Sequence, residues 1–204
     1  MLIDIAQESS ESLAAYASIS IAFRVTEVLD REALRTDGST LQLITRQVAH
    51  SYVKDYDAYP GNAPLDWPTR FNVSEWGFFA AYVGGERIGG AVMIAHDGNV
   101  DLLEGRNDLA LLWDLRVAPS FRRFGVASAL LAAAEEWARA RASRVLKVET
   151  QNINVAACRF YARHSFALHA VNDRAYAEFP NEIQLLWYKT LVGPPAPAGN
   201  MGRS

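Results

Sequence analysis

The 204-residue chain has one cysteine, three lysines and no long apolar run. A single cysteine, Cys158, cannot close an internal disulfide, so a reducing compartment, the cytoplasm, is the expected setting. The longest apolar runs, such as Phe78 to Val83, fall far short of the roughly 20 residues that a membrane helix needs. Met1 to Tyr16 carries acids and serines instead of a basic region followed by an apolar core, so neither an export signal nor a membrane partner is expected. With 13 Gly, 8 Pro and no fixed repeat, collagen, linker and solenoid architectures are excluded. The histidines His50, His96, His164 and His169 lack metal-ligand spacing, and no metal is expected. No G-x-G-x-x-G is present and none of Lys54, Lys147 and Lys189 follows a glycine, which argues against a dinucleotide fold and a Walker loop.

What the chain does have is a composition 50% apolar and 21% charged, enough for one core of domain size. A net charge of −3 argues against nucleic acid, whose phosphates demand a basic surface. The charge is polarised: Arg116 to Lys147 holds seven basic and two acidic residues, and Ser51 to Leu112 four basic and nine acidic. Such asymmetry suits two ligands of opposite sign, and equally suits plain solvated faces.

Residues 1–60 show helical spacing around Leu41, Ile44, Val48 and Tyr52, and helices are expected there. Tyr59 to Pro64, followed by Pro68, reads as an aromatic-rich loop with Tyr52, Tyr56 and Trp67 nearby, facing either a substrate or the protein's own surface. From Gly77 to Val83 and Ile88 to Ile94, two apolar runs flank Gly84-Gly85, the pattern of a β-hairpin. Leu109 to Val117 extends it to a meander. Val126, Leu130, Ala133 and Trp137 then fall on one helix face, and the strand Val145 to Thr150 after it should run parallel to the third strand through a right-handed crossover. A helix from about Asn154 to His164, strands near Phe166 to Val171 and Glu182 to Leu191, and a disordered tail over 192–204 complete the reading. The fold class is α+β with a mixed sheet.

Chemistry concentrates at Arg122-Arg123-Phe124-Gly125-Val126-Ala127-Ser128, between strand and helix. A glycine at a helix start lets a ligand approach the main chain, and the free N–H groups and dipole of the first turn attract an anion such as a diphosphate. An arginine-decorated loop without a ligand is the bland alternative. The block Arg-x-x-Gly-x-Ala over Arg122 to Ala127 resembles the acetyl-coenzyme A signature of the GNAT N-acetyltransferases. Glu149-Thr150-Gln151-Asn152, Asn154, Phe160-Tyr161 and Phe166 follow in that family's order, and the likeness covers about residues 76–191. Trp113 to Val117, Lys147 to Asn154 and Glu178 to Tyr188 are similar to streptothricin acetyltransferases in particular. Arg123 stands where the family often has glycine, and Ser165 replaces the glycine usual before the last Phe.

The resemblance implies a GNAT fold, a mixed central sheet with splayed strands flanked by helices, in one domain over 1–191. Residues 76–191 would form the cofactor-binding core and 1–75 the acceptor side. It implies acetyl-coenzyme A as donor, Leu115, Arg116 and Val117 offering backbone groups to the pantetheine arm, and the main chain of Arg123 to Ser128, with Arg122 before it, holding the diphosphate. Asn154 would bond the cofactor farther along, or cap the helix that begins there. Tyr161, by the family's spacing from Asn154, would protonate the leaving thiolate, with packing as its bland role. The attacking amine must lose a proton, and Glu149 and Asp114, each in an apolar strand beside the splay, are both candidates for the base unless an arginine pairs with them. Cys158 reads as buried filler beside the nucleophile alternative. The expected activity is acetyl transfer to a small cationic amine of the streptothricin type, an antibiotic-resistance function. Protein or peptide amines, or a non-catalytic acyl-coenzyme A module, are the alternatives, and a homodimer is an open alternative to a monomer.

Overall fold

The computed structural model describes residues 1–35 and 43–191. In chain order its elements are β1 (Asp4–Glu8), α1 (Leu13–Ala17), β2 (Phe23–Leu29), β3 (Thr45–Lys54), β4 (Gly77–Val83), β5 (Glu86–Ala95), β6 (Leu109–Val117), α2 (Val126–Ala140), β7 (Val145–Gln151), α3 (Val155–Arg163), β8 (Ala167–Asn172) and β9 (Gln184–Thr190). Seven strands form one sheet in the order β1-β4-β5-β6-β7-β9-β8, all neighbours antiparallel except β6 and β7. The hairpin, the meander and the crossover through α2 therefore stand as the sequence suggests.

Residues 1–60 do not. Apart from α1 and short 3₁₀ turns, the described part of this region is strand: β1 extends the sheet at its β4 edge, and β2 pairs with β3 as a separate antiparallel ribbon. In place of the expected helix around Ile44, Val48 and Tyr52 stands β3, which starts one residue after Ile44; a spacing of four is even and so occurs in strands as well as helices. Leu41 and the tail 192–204 lie outside the described residues.

The sheet is covered on both faces. Over one, α2 lays Val126, Leu130, Leu131, Ala134 and Trp137, and α3 lays Val155, Cys158 and Tyr161, against Leu112, Leu146, Val148 and Trp187. Over the other, Leu13, Tyr16, Trp67, Val73 and Trp76 pack on Phe78, Val92, Ile94, Leu109 and Leu111. Trp67 thus belongs to the core, where it meets Tyr16, Trp76 and Trp113 ring to ring. Gly90 lets the Tyr16 ring lie on the strand: a Cβ there would come within 2.5 Å of the ring.

Two irregularities shape the functional end. The β5–β6 register shifts between Val92/Asp114 and Met93/Leu112, leaving Trp113 as a bulge. The extra residue turns Trp113 and Asp114 toward the Tyr16 face and leaves Leu115 and Val117 on the helix face. The β6–β7 ladder runs only from Leu109/Val145 to Leu112/Val148. Beyond Leu112, β6 continues along β5, and β7 continues along β9, without pairing each other.

Candidate active site

The gap that opens between β6 and β7 is flanked by most of the residues singled out from the sequence. Leu115, Arg116 and Val117 lie on β6 past its last β7 partner, so the backbone edge facing β7 has no strand beside it among the described residues. At the end of β6 the chain makes a 3₁₀ turn over Pro119–Phe121 and enters α2 through Gly125, at φ +87°. That left-handed conformation favours glycine. A Cβ at Gly125 would meet nothing within 4 Å, so the main chain lies open to an approaching molecule. No side chain caps α2, no acid stands in its first turn, and its first backbone bond is Ala129 N–H to Gly125. The N–H groups of Val126, Ala127 and Ser128 have no protein acceptor among the described residues, which suits them to a diphosphate.

The side chains around this turn take different tasks. Arg122 reaches back, donating to the carbonyls of Val117 and Ala22 at 3.0 Å, and burial lowers its pKa. Arg123 and Phe124 are exposed. Val126 is buried beneath the helix, and Ser128 bonds Nε2 of His164 at 3.0 Å. Arg123 and Ser165, the two departures from the family's glycines, have φ +70° and +65°. The backbone keeps at both positions the conformation a glycine would take, carried here by a strained residue.

The two carboxylates face the same side of the sheet from opposite sides of the gap but sit in different company. Asp114 accepts from the Tyr16 hydroxyl at 2.6 Å and from Nη2 and Nε of Arg116 at 2.6 and 3.1 Å. Arg116 has a side chain with no exposure, and it also donates to both oxygens of Asp57 and to the Ile19 carbonyl. Burial works against its charge, and Asp114 and Asp57 more than compensate, so its pKa lies above the ordinary value. The side chain of Arg116 thus fastens the N-terminal segment and the Asp57 loop to β6, and only its backbone borders the gap. Burial and the Asp114 carboxylate push the Tyr16 pKa up, keeping that hydroxyl a donor.

Glu149 is partly exposed and its partners are neutral. It accepts from Tyr176 at 2.5 Å, from Gln184 at 2.8 Å and from Gln151 at 3.4 Å. Gln151 in turn accepts from Tyr56 and donates to Tyr176 at 2.8 Å. Burial first, then the Glu149 charge, raises the Tyr176 pKa and keeps it protonated.

On the helix face, Asn154 caps α3 by accepting from Ala157 N–H at 3.1 Å. Tyr161 lies two turns on, its ring edge-on to Phe160 and Phe166 and its hydroxyl without a hydrogen-bond partner among the described residues. Burial, followed by the charge of Asp114, raises its pKa, so the phenol holds its proton at neutral pH. Tyr161 and the two carboxylates thus stand on opposite faces of one gap. Cys158 is buried against Thr150, its thiol pushed up to about 12 by burial. Among the described residues no cluster of His, Cys, Asp or Glu could hold a metal, and no helix is long and apolar enough to cross a membrane.

Sequence reasoning missed Tyr16 and Tyr176, and gave no role to Gln184 within the Glu178 to Tyr188 stretch. Tyr56 carried a signal in its aromatic-rich loop, and Gln151 stood inside a quoted motif; Tyr176 sits in a stretch with no periodicity at all.

Three of the nine acids between residues 51 and 112 are ion-paired: Glu104 with Lys147, Asp108 with Arg106, and Asp57 with Arg116.

A splayed parallel pair beside an uncapped, glycine-led helix start is a recognisable arrangement, and the model of the Acetyltransferase (GNAT) family matches residues 44–166. The chain belongs to this family. The match begins at β3, earlier than the likeness read from the sequence, and stops before β8. Two relatives are similar over part of their length. Streptothricin acetyltransferase A of Bacillus subtilis (strain 168) is 43% identical over 93 residues, 45% of this chain and 54% of the relative. Streptothricin acetyltransferase of Escherichia coli is 35% identical over 94 residues, with the same coverage of each chain. The chain thus spans about half the length of the curated relatives it matches. Among solved structures, one from Bacillus anthracis (strain Ames), described as a streptothricin acetyltransferase in complex with acetyl coenzyme A, aligns over 93% of this chain and 99% of its own with TM-score 0.73 and 23% identity. A nourseothricin acetyltransferase aligns over 94% and 100% with TM-score 0.71 and 23% identity. These likenesses establish the GNAT fold.

Proposed function

We propose that this GNAT protein transfers acetyl from acetyl-coenzyme A to an amine of a small cationic molecule, with a streptothricin-type antibiotic as the acceptor. The observation that carries the reading is the four-pair β6–β7 ladder ending beside the open first turn of α2. An extended amide-bearing arm fits the unpaired edge of Leu115 to Val117, and a diphosphate fits the free N–H groups of Val126 to Ser128. The thioester supplies an activated acetyl group at the gap. The names of the B. subtilis and E. coli relatives support the acceptor class.

Of the two carboxylates we assign the base role to Glu149. Asp114 is committed to the buried Arg116, whereas Glu149 is bound by neutral donors and reaches the surface. The cationic amine first gives one proton, directly or through water, to Glu149 and so frees its lone pair; the nitrogen then bonds to the acetyl carbon and releases its second proton to water. The carbon–sulfur bond then breaks and the thiolate takes the Tyr161 proton from the other face of the sheet. One residue on each face keeps the Glu149 and Tyr161 proton transfers apart. We place the reaction in the cytoplasm, where the donor is available and Cys158 stays reduced.

Thiol release with streptothricin and acetyl-coenzyme A, together with the mass of the acetylated product, tests the activity. Calorimetry of Gly125→Val tests the donor site: the variant should stay folded and lose at least about tenfold in affinity, one step of about 1.4 kcal/mol. No thiol release with any amine in a panel, or unchanged affinity in the variant, refutes the reading.

A further inference from the structure

Lys54, at the end of β3, has a side chain 5% exposed, and its Nζ lies 2.6 Å from Oε1 of Glu182, itself 11% exposed. Three aromatic faces surround the ammonium: Phe179 at 4.0 Å from the ring centroid, Tyr59 at 4.5 Å and Tyr56 at 5.5 Å. Tyr59 and Phe179 meet edge-on at 5.0 Å, closing the cage across two loops distant in sequence. A desolvated cation against aromatic faces is held more firmly than an exposed one.

The cage is linked to the reacting carboxylate by consecutive bonds. Glu182 N–H donates to the Phe179 carbonyl at 2.9 Å and Phe179 N–H to the Tyr176 carbonyl at 3.2 Å, so anchoring Glu182 and Phe179 places Tyr176. The Tyr176 hydroxyl donates to Glu149 and accepts from Gln151, whose oxygen receives the hydroxyl of Tyr56, two residues after Lys54. Further ties act at the two ends of the 173–183 loop: Ile183 N–H donates to Asn152 at 2.8 Å, and Asp173 pairs with Arg31 at 3.7 Å.

We propose that Lys54 is a positioning residue for acetyl transfer: caged by Tyr56, Tyr59 and Phe179 and paired with Glu182, it holds the 173–183 loop so that Tyr176 orients the Glu149 carboxylate toward the acceptor amine. The proposal rests on Glu149 as the base. It gives a buried, paired cation control over the geometry of the proton transfer, where a misplacement of about 1 Å costs on the order of 10²-fold.

The experiment compares the parent with Lys54→Met, Lys54→Arg and Lys54→Met/Glu182→Gln. The double variant leaves no unpaired buried carboxylate and so keeps the comparison available should Lys54→Met fold poorly. Hydrogen exchange of the 176–182 amides and steady-state turnover of streptothricin are read on each folded protein. In Lys54→Met and the double variant, exchange in 176–182 should rise while that of β7 stays protected. In both, kcat should fall by roughly 10²-fold, with the affinity for acetyl-coenzyme A unchanged. Lys54→Arg, which keeps the charge and the stacking, should restore most of the rate. Unchanged exchange in the double variant overturns the proposal, and so does raised exchange with parental kcat. Should Glu149→Gln turn over like the parent, the base assignment falls by itself, and the exchange result still decides whether Lys54 holds the loop.

Discussion

Replacing Asp114 by Asn and Glu149 by Gln should produce opposite phenotypes, although both changes remove one negative charge beside the same gap. Asp114 accepts one neutral and two charge-assisted bonds, and its side chain is 8% exposed. Removing one partner of a buried pair costs ~3–5 kcal/mol. The two bonds from Arg116 to Asp57 at 2.8 and 3.2 Å survive and place the loss near the lower end. At about 2–4 °C per kcal/mol for a domain of this size, a loss of about 3 kcal/mol lowers the melting temperature by roughly 6–12 °C. Turnover of the folded Asp114→Asn protein should stay within about threefold of the parent, about 0.65 kcal/mol in barrier terms. Glu149 has no cation to strand; an amide oxygen can keep the bonds from Tyr176 and Gln151, and the Gln184 amide can flip to accept from the new NH2, so Glu149→Gln should melt within about 1 kcal/mol of the parent. Its turnover should fall by ~10²–10⁴-fold. What remains should rise about tenfold per pH unit toward the acceptor amine's own pKa near ~10, because the amine must then arrive deprotonated. Thermal melts by circular dichroism and thiol release at saturating acetyl-coenzyme A, at a temperature where all three proteins are folded, supply the comparison. An Asp114→Asn protein that melts like the parent and has lost turnover, beside a fully active Glu149→Gln, refutes the assignment.

Tyr161→Phe keeps the ring between Phe160 and Phe166 and loses no protein hydrogen bond, so melting should shift by under about 0.5 kcal/mol. Its kcat should fall by ~10²–10⁴-fold, measured with chemistry shown to be limiting. Ser165→Gly should stabilise the fold by up to about 1 kcal/mol in urea unfolding, the ~1–2 kcal/mol of left-handed strain less the ~0.5–1 kcal/mol entropy of a glycine. Cys158 gives a pH dependence of known sign. Burial raises its thiol to about 12 in the native state, against ~8.5 when unfolded. The unfolded chain therefore releases that proton first. Stability is fully present below about pH 8.5 and is lost toward about 12, at up to ~1.4 kcal/mol per pH unit. Cys158→Ala should flatten this slope in urea titrations between about pH 9 and 11; an unchanged slope counts against the buried thiol as its source.

The segments read correctly from sequence are those where periodicity and burial coincide. Gly77 to Val83 and Leu109 to Val117 are nearly all buried, and α2 has a full apolar face, so local pattern and tertiary environment point the same way. β3 is almost wholly exposed and carries no alternation, and β1 is a polar edge strand of five residues. Their pairing is decided by partners far along the chain, which a local window does not contain. The site divides likewise. Gly125 and Asn154 do their work within one turn of chain and leave local signals. The fastening of Arg116 to Asp57 depends on a partner 59 residues away, Glu149 on a tyrosine 27 residues away, and the Lys54 cage on a contact 128 residues apart. None of these has a local signature.

The short β6–β7 ladder has a mechanical consequence. Four residue pairs are all that join strands β1, β4, β5 and β6 to strands β7, β9 and β8 along the sheet, so the molecule is a pair of half-sheets with a compliant seam. A molecule lying in the wedge acts as added rungs across that seam. On the proposed reading, the binding energy of the donor would therefore also set how tightly the two halves, and with them Tyr161 and Glu149, are held in register.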